Sequence, residues 1–529
     1  MRFKLFLYPV IILALIYCYS CGKDDNDELY YIDPIVNVSR DIVEVGNEVG
    51  YEDTVQISSN VQWTINLSKG AEQWLIVSPS MRLDSGNSIV TIRVLANNYL
   101  PSQTATVSII PYGLEVPARQ ITITRKQFSL EWKKCYGGSG EDYFDAMTVL
   151  PNGQIVFSGF TQSGDGDALG YSGSFKEWVL RSNSDGNIIW QKQEVGTTGV
   201  ISGQYRSVAA ISDGGTVSAG YVNVNYNLNA AVARYDANGN VLWKKAYGGT
   251  GHDVAYRIIN TADGGFLVSG ETNSQDGDVK INHGGIDLWV FKLDANGNLI
   301  WEKTFGGASN DMMGVIATCS DGGYLLSGMS NSNATGDIPA SHGNEDIFVV
   351  KLDAAGNKVW TKTFGGSLRE DAGSVIGDTD GGCIIAACTN SSDGDLAGRR
   401  QNLNRDMWVF KLNKEGQIVW KTTLGGASED FANSLVRLPN GNIAIAGSSA
   451  SNDGDVSANR GGHDVWVVVL NSRGKKLWQR TFGSYTGDYN NDIEVTADGS
   501  LLVANSTEGN ALDVSGNHGN DDAWVFKLK

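Results

Sequence analysis

Cysteine, proline and positive charge are all scarce in this 529-residue chain: six cysteines, nine prolines, and 41 Lys+Arg against 59 Asp+Glu. Beyond residue 21 the only cysteines are Cys135, Cys319, Cys383 and Cys388, none at C-x-x-C spacing. That excludes a disulfide framework and a thiolate zinc scaffold. Cys383 and Cys388 stand on one strand-like run, facing opposite sides and about 17 Å apart, too far to bridge. A net charge of −18 argues against nucleic acid or an anionic bilayer surface as partner. No apolar run reaches the ~20 residues of a membrane-spanning helix. What is abundant is glycine (65) and tryptophan (14), the make-up of a turn-rich all-β protein.

The N-terminus reads as a targeting segment. Arg2 and Lys4 precede an apolar run from Leu5 to Tyr17, followed by "CYSCGKDDND". The short run predicts a secretory signal rather than a span. Ser20 before Cys21, with the acidic stretch behind it, resembles the surface lipoproteins of Bacteroidetes-type bacteria. That resemblance implies a signal peptide over 1–20, lipidation at Cys21 and an acidic tether over 21–33. It also implies an outer-membrane lipid anchor with the protein facing the cell exterior.

Residues 34–127 alternate apolar and polar in short runs such as "TVQISSNVQWTINL" and "RQITITRK". Period-two patterning between turn residues predicts an antiparallel sandwich. Trp63, Trp74-Leu75, Pro79 and Asn98 in this stretch resemble the BACON domain, an immunoglobulin-like module of Bacteroidetes surface proteins. The arginine that often follows the asparagine is absent. The resemblance implies a spacer between anchor and working domain, with Trp63 and Trp74 read as core.

From residue 128 the chain repeats. A tryptophan before each glycine turn falls at Trp132, Trp190, Trp243, Trp301, Trp360, Trp420 and Trp478. Each unit holds four strand-like runs, as in "VAYRIINT", "GFLVSGET", "LWVFKLD" and "LIWEKTF", joined by "ADGG", a longer loop and "ANGN". Four strands at a ~40–60-residue period predict a β-propeller, here seven-bladed, over 128–529. The last unit ends after three strands at "DAWVFKLK", while "FSLEWKKCYGG" at 128–138 is a fourth strand with none before it. Residues 128–137 are therefore expected to pair with the C-terminal strand and close the ring. The "KLDANGNLIW" phrase also resembles the tryptophan-docking repeats of quinoprotein dehydrogenases, but no vicinal cysteine pair accompanies it, so no quinone is implied.

Two acidic motifs are expected on one face. The first is the carboxylate after each glycine turn: Asp142, Asp253, Asp311, Glu370 or Asp371, Asp430 and Asp488. The second is a "DGD" loop: Asp165 and Asp167, Asp276 and Asp278, Asp393 and Asp395, Asp453 and Asp455, with Asp337 a partial copy. A third aspartate opens the third strand (Asp287, Asp346, Asp406, Asp464, Asp522), with His283, His342 and His518 four residues before three of them. Clustered hard oxygens suit Ca²⁺, and calcium is the one ion these DGD acids suggest. Loop capping is the simpler account of them, since a residue repeated from blade to blade does an architectural job. No catalytic residue is singled out and no other cofactor is implied.

Departures from the repeat are the better ligand candidates. Blade two carries "YVNVNYNLN", placing Tyr205, Tyr221 and Tyr226 near Tyr171 and Phe175 of blade one as aromatic faces for a sugar. Blade five carries Arg399, Arg400 and Arg405, a basic island suited to an anionic glycan or a protein. The reading that follows is a non-catalytic surface lipoprotein binding a glycan or a surface protein through one face of the propeller. A glycan-active hydrolase or lyase is the alternative, and a structural role in an envelope complex the third.

Overall fold

The computed structural model describes residues 34–95, 102–112, 117–170, 176–194, 200–224, 227–400 and 404–529. The signal segment, Cys21 and the tether lie outside these residues. Among the described residues the chain is all-β, with two single-turn 3-10 segments, Ala71–Gln73 and Gly394–Leu396, as its helical content.

Residues 36–125 form two sheets around one core. Val36–Val38, Glu52–Ser59, Gly86–Val94 and Leu75–Ser78 make one. Ile42–Glu44, Arg119–Arg125, Gln103–Pro111, Trp63–Leu67 and Met81–Arg82 make the other. In Glu52–Ser59 every second side chain is buried, as the alternating pattern requires. Trp63 and Trp74 are both buried in the core, as read from the sequence.

The repeats form seven four-stranded antiparallel sheets, numbered 1 to 7 here in chain order, and the whole resembles propeller domains. Their first strands are Asp142–Val149, Val200–Ala210, Asp253–Asn260, Asp311–Thr318, Glu370–Gly377, Ser434–Arg437 and Asp488–Val495. These strands touch one another in succession, and the seventh returns to the first, so the sheets stand around a common axis. Sheet 7 is composite. Leu130–Tyr136 pairs antiparallel with Asp522–Leu528, with Ser129 N donating to Lys529 O at 2.9 Å and Lys529 N to Ser129 O at 2.9 Å. The expected clasp is therefore present.

Two repeated contacts explain the repeated residues. The fourth-strand tryptophan reaches the turn of the next sheet: Trp190 Nε1 donates to Ala237 O and Trp243 Nε1 to Ala295 O, both at 3.2 Å. Its ring lies on the glycine of that turn, where a Cβ on Gly239 or Gly297 would meet it at 2.8 Å. Glycine is needed there twice over, because both positions also have positive φ (77° and 72°). The second contact is a backbone bond between sheets. Asp311 N donates to Ile286 O (2.6 Å), Asp430 N to Arg405 O (2.8 Å) and Asp142 N to Asp521 O (2.8 Å).

Trp478 has no such turn ahead of it, because sheet 7 takes its fourth strand from the start of the domain. Phe128, just before that strand, packs there instead, with ring centroids 5.3 Å apart. The sandwich docks at the same place. Asn440 Nδ2 donates to Glu44 Oε1 (2.8 Å), Arg473 Nη2 pairs with Asp53 Oδ2 (2.6 Å) and Asn47 N donates to Leu477 O (2.8 Å). Residues of the sandwich and of sheets 6 and 7 share one continuous hydrophobic cluster. In antiparallel sheets the turns after strands one and three lie opposite the loops after strands two and four. The sandwich thus covers the turn side at sheet 6 and leaves the loop side clear.

Candidate functional site

Each first strand shows two faces. Asp142, Phe144 and Ala146 are buried toward neighbouring strands, whereas Tyr143 and Asp145 between them are only partly covered. The same alternation recurs in Asp488 and Asn490 against Tyr489 and Asn491, and in Glu370 and Ala372 against Asp371 and Gly373. The side chains turned from the neighbours face the axis.

At one point each first strand carries an extra residue. Register slips by one across Asp145 in sheet 1, Arg206 in sheet 2, Tyr256 in sheet 3, Gly373 in sheet 5 and Asn491 in sheet 7. Sheet 4 slips across Met313 and Gly314, and sheet 6 between Asp430 and Ser434. A β-bulge re-aims the side chain it inserts, and here it offers one unrepeated residue per sheet to the axis. The facing second strand has to come close. A Cβ on Gly159, Gly220 or Gly270 would lie within 2.0 Å of a first-strand carbonyl oxygen. Met313 sits at φ 60°, a left-handed conformation rare for a bulky residue, and its N–H donates to Glu271 Oε2 at 3.0 Å.

These residues enclose an axial cavity of about 400 Å³. Its walls are unequal. Asp145, Gln204, Arg206, Tyr256 and Arg257 line it from sheets 1 to 3, and Asn433, Asn491 and Asp492 from sheets 6 and 7. Met313, Val315, Ala372 and Gly373 form a small, largely apolar wall opposite. Gln204 Nε2 donates to Asp145 Oδ2 (2.8 Å), and Tyr221 OH donates to Gln204 Oε1 (3.0 Å). The Arg206 guanidinium lies 5.3 Å from the Tyr221 ring centre and 4.8 Å from that of Tyr256. Asp492 accepts from Met147 N (2.9 Å), Ser434 Oγ (2.8 Å) and Ile493 N (2.9 Å). Burial pushes the Asp145 carboxyl up to about 6 against the pull of Gln204 and Arg206. Burial, then the charge of Asp492, pushes Glu494 up to about 8, while Arg257 acts in the opposite sense.

Nearer the loops the axis-facing residues turn aromatic. The rings of Phe431 and His463 have centroids 5.7 Å apart, and those of His463 and Tyr489 5.3 Å apart. Tyr143 and Phe160 pair at 4.8 Å in sheet 1, and Tyr143 OH bonds Asp521. Tyr485, 68% exposed, stands on the same side. Arg405 closes the crescent over Phe431 at 5.6 Å, its Nη2 held 3.1 Å from Asp371.

The repeated acids are consumed by the turns. Asp142 Oδ2 accepts from Gly138 N and Ser163 Oγ, each at 2.7 Å, and Asp253 Oδ2 from Gly249 N and Ser274 Oγ, each at 2.8 Å. In sheet 5 the cap is Glu370, which accepts from Gly366 N at 2.9 Å, and Asp371 is the axis-facing neighbour. The DGD loops serve the same turns. Asp165, Asp276, Asp393 and Asp453 accept from Ser139 N (2.8 Å), Thr250 N (2.7 Å), Ser367 N (2.7 Å) and Ala427 N (2.6 Å). Asp278, Asp395 and Asp455 accept from Gly248 N (3.1 Å), Gly365 N (3.1 Å) and Gly425 N (3.2 Å), and Asp167 N donates to Gly137 O at 2.8 Å. Among the described residues no three His, Cys, Asp or Glu side chains gather in a way that could hold a metal ion. His283 and His518 bond the Oδ2 of Asp287 and Asp522 through Nδ1, at 2.8 and 2.7 Å.

Two ligand expectations need correction. Tyr205 is wholly buried, because it occupies the neighbour-facing position that Phe144 holds in sheet 1. Arg399 is buried too, its Nε donating to Asp406 Oδ2 at 2.9 Å in the role His283 plays for Asp287. Arg400 reaches Gly426 O at 2.5 Å, and Arg405 and Tyr221 do face the axis side. Tyr171, Phe175 and Tyr226 lie outside the described residues. The bulge residues were missed altogether, although the glycine recurring in "VFSGF", "VSAGY", "LVSGE" and "AIAGS" marks the close approach opposite them.

No family model matches the chain. It is 24% identical over 228 residues to the regulatory protein FlaEY of Caulobacter vibrioides, a match taking in 40% of this chain and 24% of that protein. The chain thus spans about a quarter of the length of the curated relative it matches. Among solved structures, the WD40 domain of Neurospora crassa Pan2 aligns at a TM-score of 0.41 and 11% identity, covering 73% of this chain and 89% of that one. Sqt1 from Chaetomium thermophilum aligns at 0.40 and 12% identity, covering 76% and 99%. A GH5 xyloglucanase from Bacteroides ovatus is 21% identical over 23% of this chain and 30% of its own, at a TM-score of 0.16.

Proposed function

We propose that the chain is a seven-bladed β-propeller with a BACON-like, immunoglobulin-like sandwich, held as a lipoprotein on the outer surface of a Bacteroidetes-type cell. In this reading it binds a glycan or a surface protein and performs no chemistry. The ligand meets the loop side at the axis, where Tyr489, His463, Phe431 and Arg405 form the crescent. The observation that carries the proposal is the sorting of residues. The acids and tryptophans that recur from sheet to sheet are spent on caps and inter-sheet contacts, and the residues that line the axis differ from one sheet to the next. Exposed rings beside planar polar groups suit sugar stacking and hydroxyl bonding. Docking of the sandwich on the turn side supports a spacer that presents the loop side outward.

The test is a panel of polysaccharides and envelope proteins, scored for retention and for released product. Retention that Phe431→Ala and Tyr489→Ala abolish, with melting unchanged, is the expected result. Retention indifferent to both substitutions would remove the crescent from consideration. A second reading as hydrolase or lyase draws on Asp145 and Asp492, two unrepeated acids that line the cavity, since glycoside cleavage needs a pair of such acids. Release of oligosaccharide would favour it over simple binding.

A further inference from the structure

Below the crescent, the axial cavity has a chemistry of its own, independent of whether the loop side binds a glycan. Arg257 lines it, and among the described residues no carboxylate oxygen lies within 4.0 Å of its guanidinium. The acids that feel its charge, Asp492 and Glu494, do not neutralise it by contact. Asp492 has already committed both oxygens to Met147 N, Ser434 Oγ and Ile493 N. The second guanidinium, Arg206, lies over the rings of Tyr221 and Tyr256, and among the described residues no carboxylate oxygen is within 4.0 Å of it. A guanidinium carries five N–H donors, more than the contact with Tyr256 uses.

We propose that this cavity is a binding site for a small carboxylate, received by the N–H donors of Arg257 and Arg206, with its carbon skeleton against Met313, Val315 and Ala372. A guanidinium fork matches the two oxygens of a carboxylate, and the volume of about 400 Å³ falls within the ~300–1,000 Å³ range of small-molecule sites. Asn433 and Asn491 each donate once to a backbone carbonyl, Asn490 O and Phe144 O, and keep further amide capacity for hydroxyls on the same ligand. Asp145 and Asp492 line the same cavity, and burial raises both carboxyls, which lessens their opposition to an anion. A neutral sugar would leave Arg257 without a carboxylate in contact.

The carboxylate could belong to a sugar acid or to a simple organic acid, and the probes separate the two. Acetate, glucuronate and glucose are titrated into the purified protein by calorimetry and followed by ligand-observed NMR, up to about 10 mM, which captures binding of roughly 1 mM Kd or tighter. Acetate and glucuronate are expected to bind and glucose is not. Glucuronate tighter than acetate by tenfold or more assigns a sugar acid, and equal affinities assign a simple carboxylate. Arg257→Gln and, separately, Arg206→Gln should each weaken binding at least tenfold with the melting temperature of the free protein unchanged. Should Arg257→Gln fail to fold, Arg206→Gln alone carries the comparison. The proposal is overturned by glucose binding as well as glucuronate, by no carboxylate binding, or by affinity that survives the substitution in a folded variant.

Discussion

The two faces of a single first strand teach more than any two sheets compared. On one face the buried capping acid Asp142 has close counterparts in Asp253, Asp311, Glu370, Asp430 and Asp488, while the positions of Phe144 and Ala146 below it vary, as in Tyr205 with Ser207 and Asn490 with Asp492. On the other, Tyr143 and Asp145 have counterparts as different as Gln204 and Arg206, Asp371 and Gly373, or Phe431 and Asn433. The capping acid satisfies a turn that sheet after sheet builds in the same way, so it repeats. The axis-facing residues meet no such demand, and a bulge in each sheet adds one more of them. Substitutions on the two faces should therefore differ in kind.

The largest effect is expected from loss of residues 522–529, which removes the strand that Leu130–Tyr136 pairs with. The ring should unfold as a whole in one thermal transition, and near-native melting would contradict closure. Next comes Phe128→Ala at the junction where the repeated turn is missing. Opening a void beside Trp478 should cost about 3 kcal/mol by chemical denaturation. Asp253→Ala follows at about 2 kcal/mol, since Gly249 N, Ser274 Oγ and Thr272 Oγ1 would all lose a buried acceptor. On the axis-facing side, Asn433→Ala, which removes one bond to Asn490 O, should cost about 1 kcal/mol or less. A larger loss would show that the two faces are not separable.

The smallest effect concerns pH. Burial pushes the carboxyls of Asp311, Asp464 and Asp522 up to about 6. Unfolded, such groups titrate near ~4. Between these values the folded state holds protons that the unfolded state has released, so stability falls as pH rises. This contribution is fully present below about pH 4 and gone once pH has risen through about 6. Melting temperature should accordingly be higher at pH 5 than at pH 8. An increase toward pH 8 would mean that a bound cation, or another pairing, keeps these acids ionised.

Much of the fold was legible because its causes recur. The tryptophans and the turn glycines beneath them are two halves of one contact, so each unit announces its neighbour. The clasp followed from a fourth strand at residue 128 with no partners and a final unit lacking one. The site was less legible, for physical reasons. A carboxylate draws attention as a ligand, yet Asp165 and Asp276 spend theirs on backbone N–H groups, which composition does not distinguish from metal binding. Tyr205 looked like an exposed ring, because the register that buries it depends on a bulge one residue later. Which of Glu370 and Asp371 caps the turn hung on a one-residue offset that only pairing resolves. The bulges themselves leave a trace in the second-strand glycines, but sheets 5 and 7 carry Ala387 and Asn505 instead, so the trace is broken.

The division of labour between the two faces is tested most directly by changing the axis-facing set at once. A variant with Tyr143, Phe431, Asn433 and Tyr489 all replaced by Ser is compared with the parent for melting temperature and for retention on the glycan and envelope-protein panel. The expected result is a folded protein, melting within a few degrees of the parent, that has lost retention. A variant that unfolds, or one that stays folded and binds as the parent does, would contradict the assignment of function to the axis.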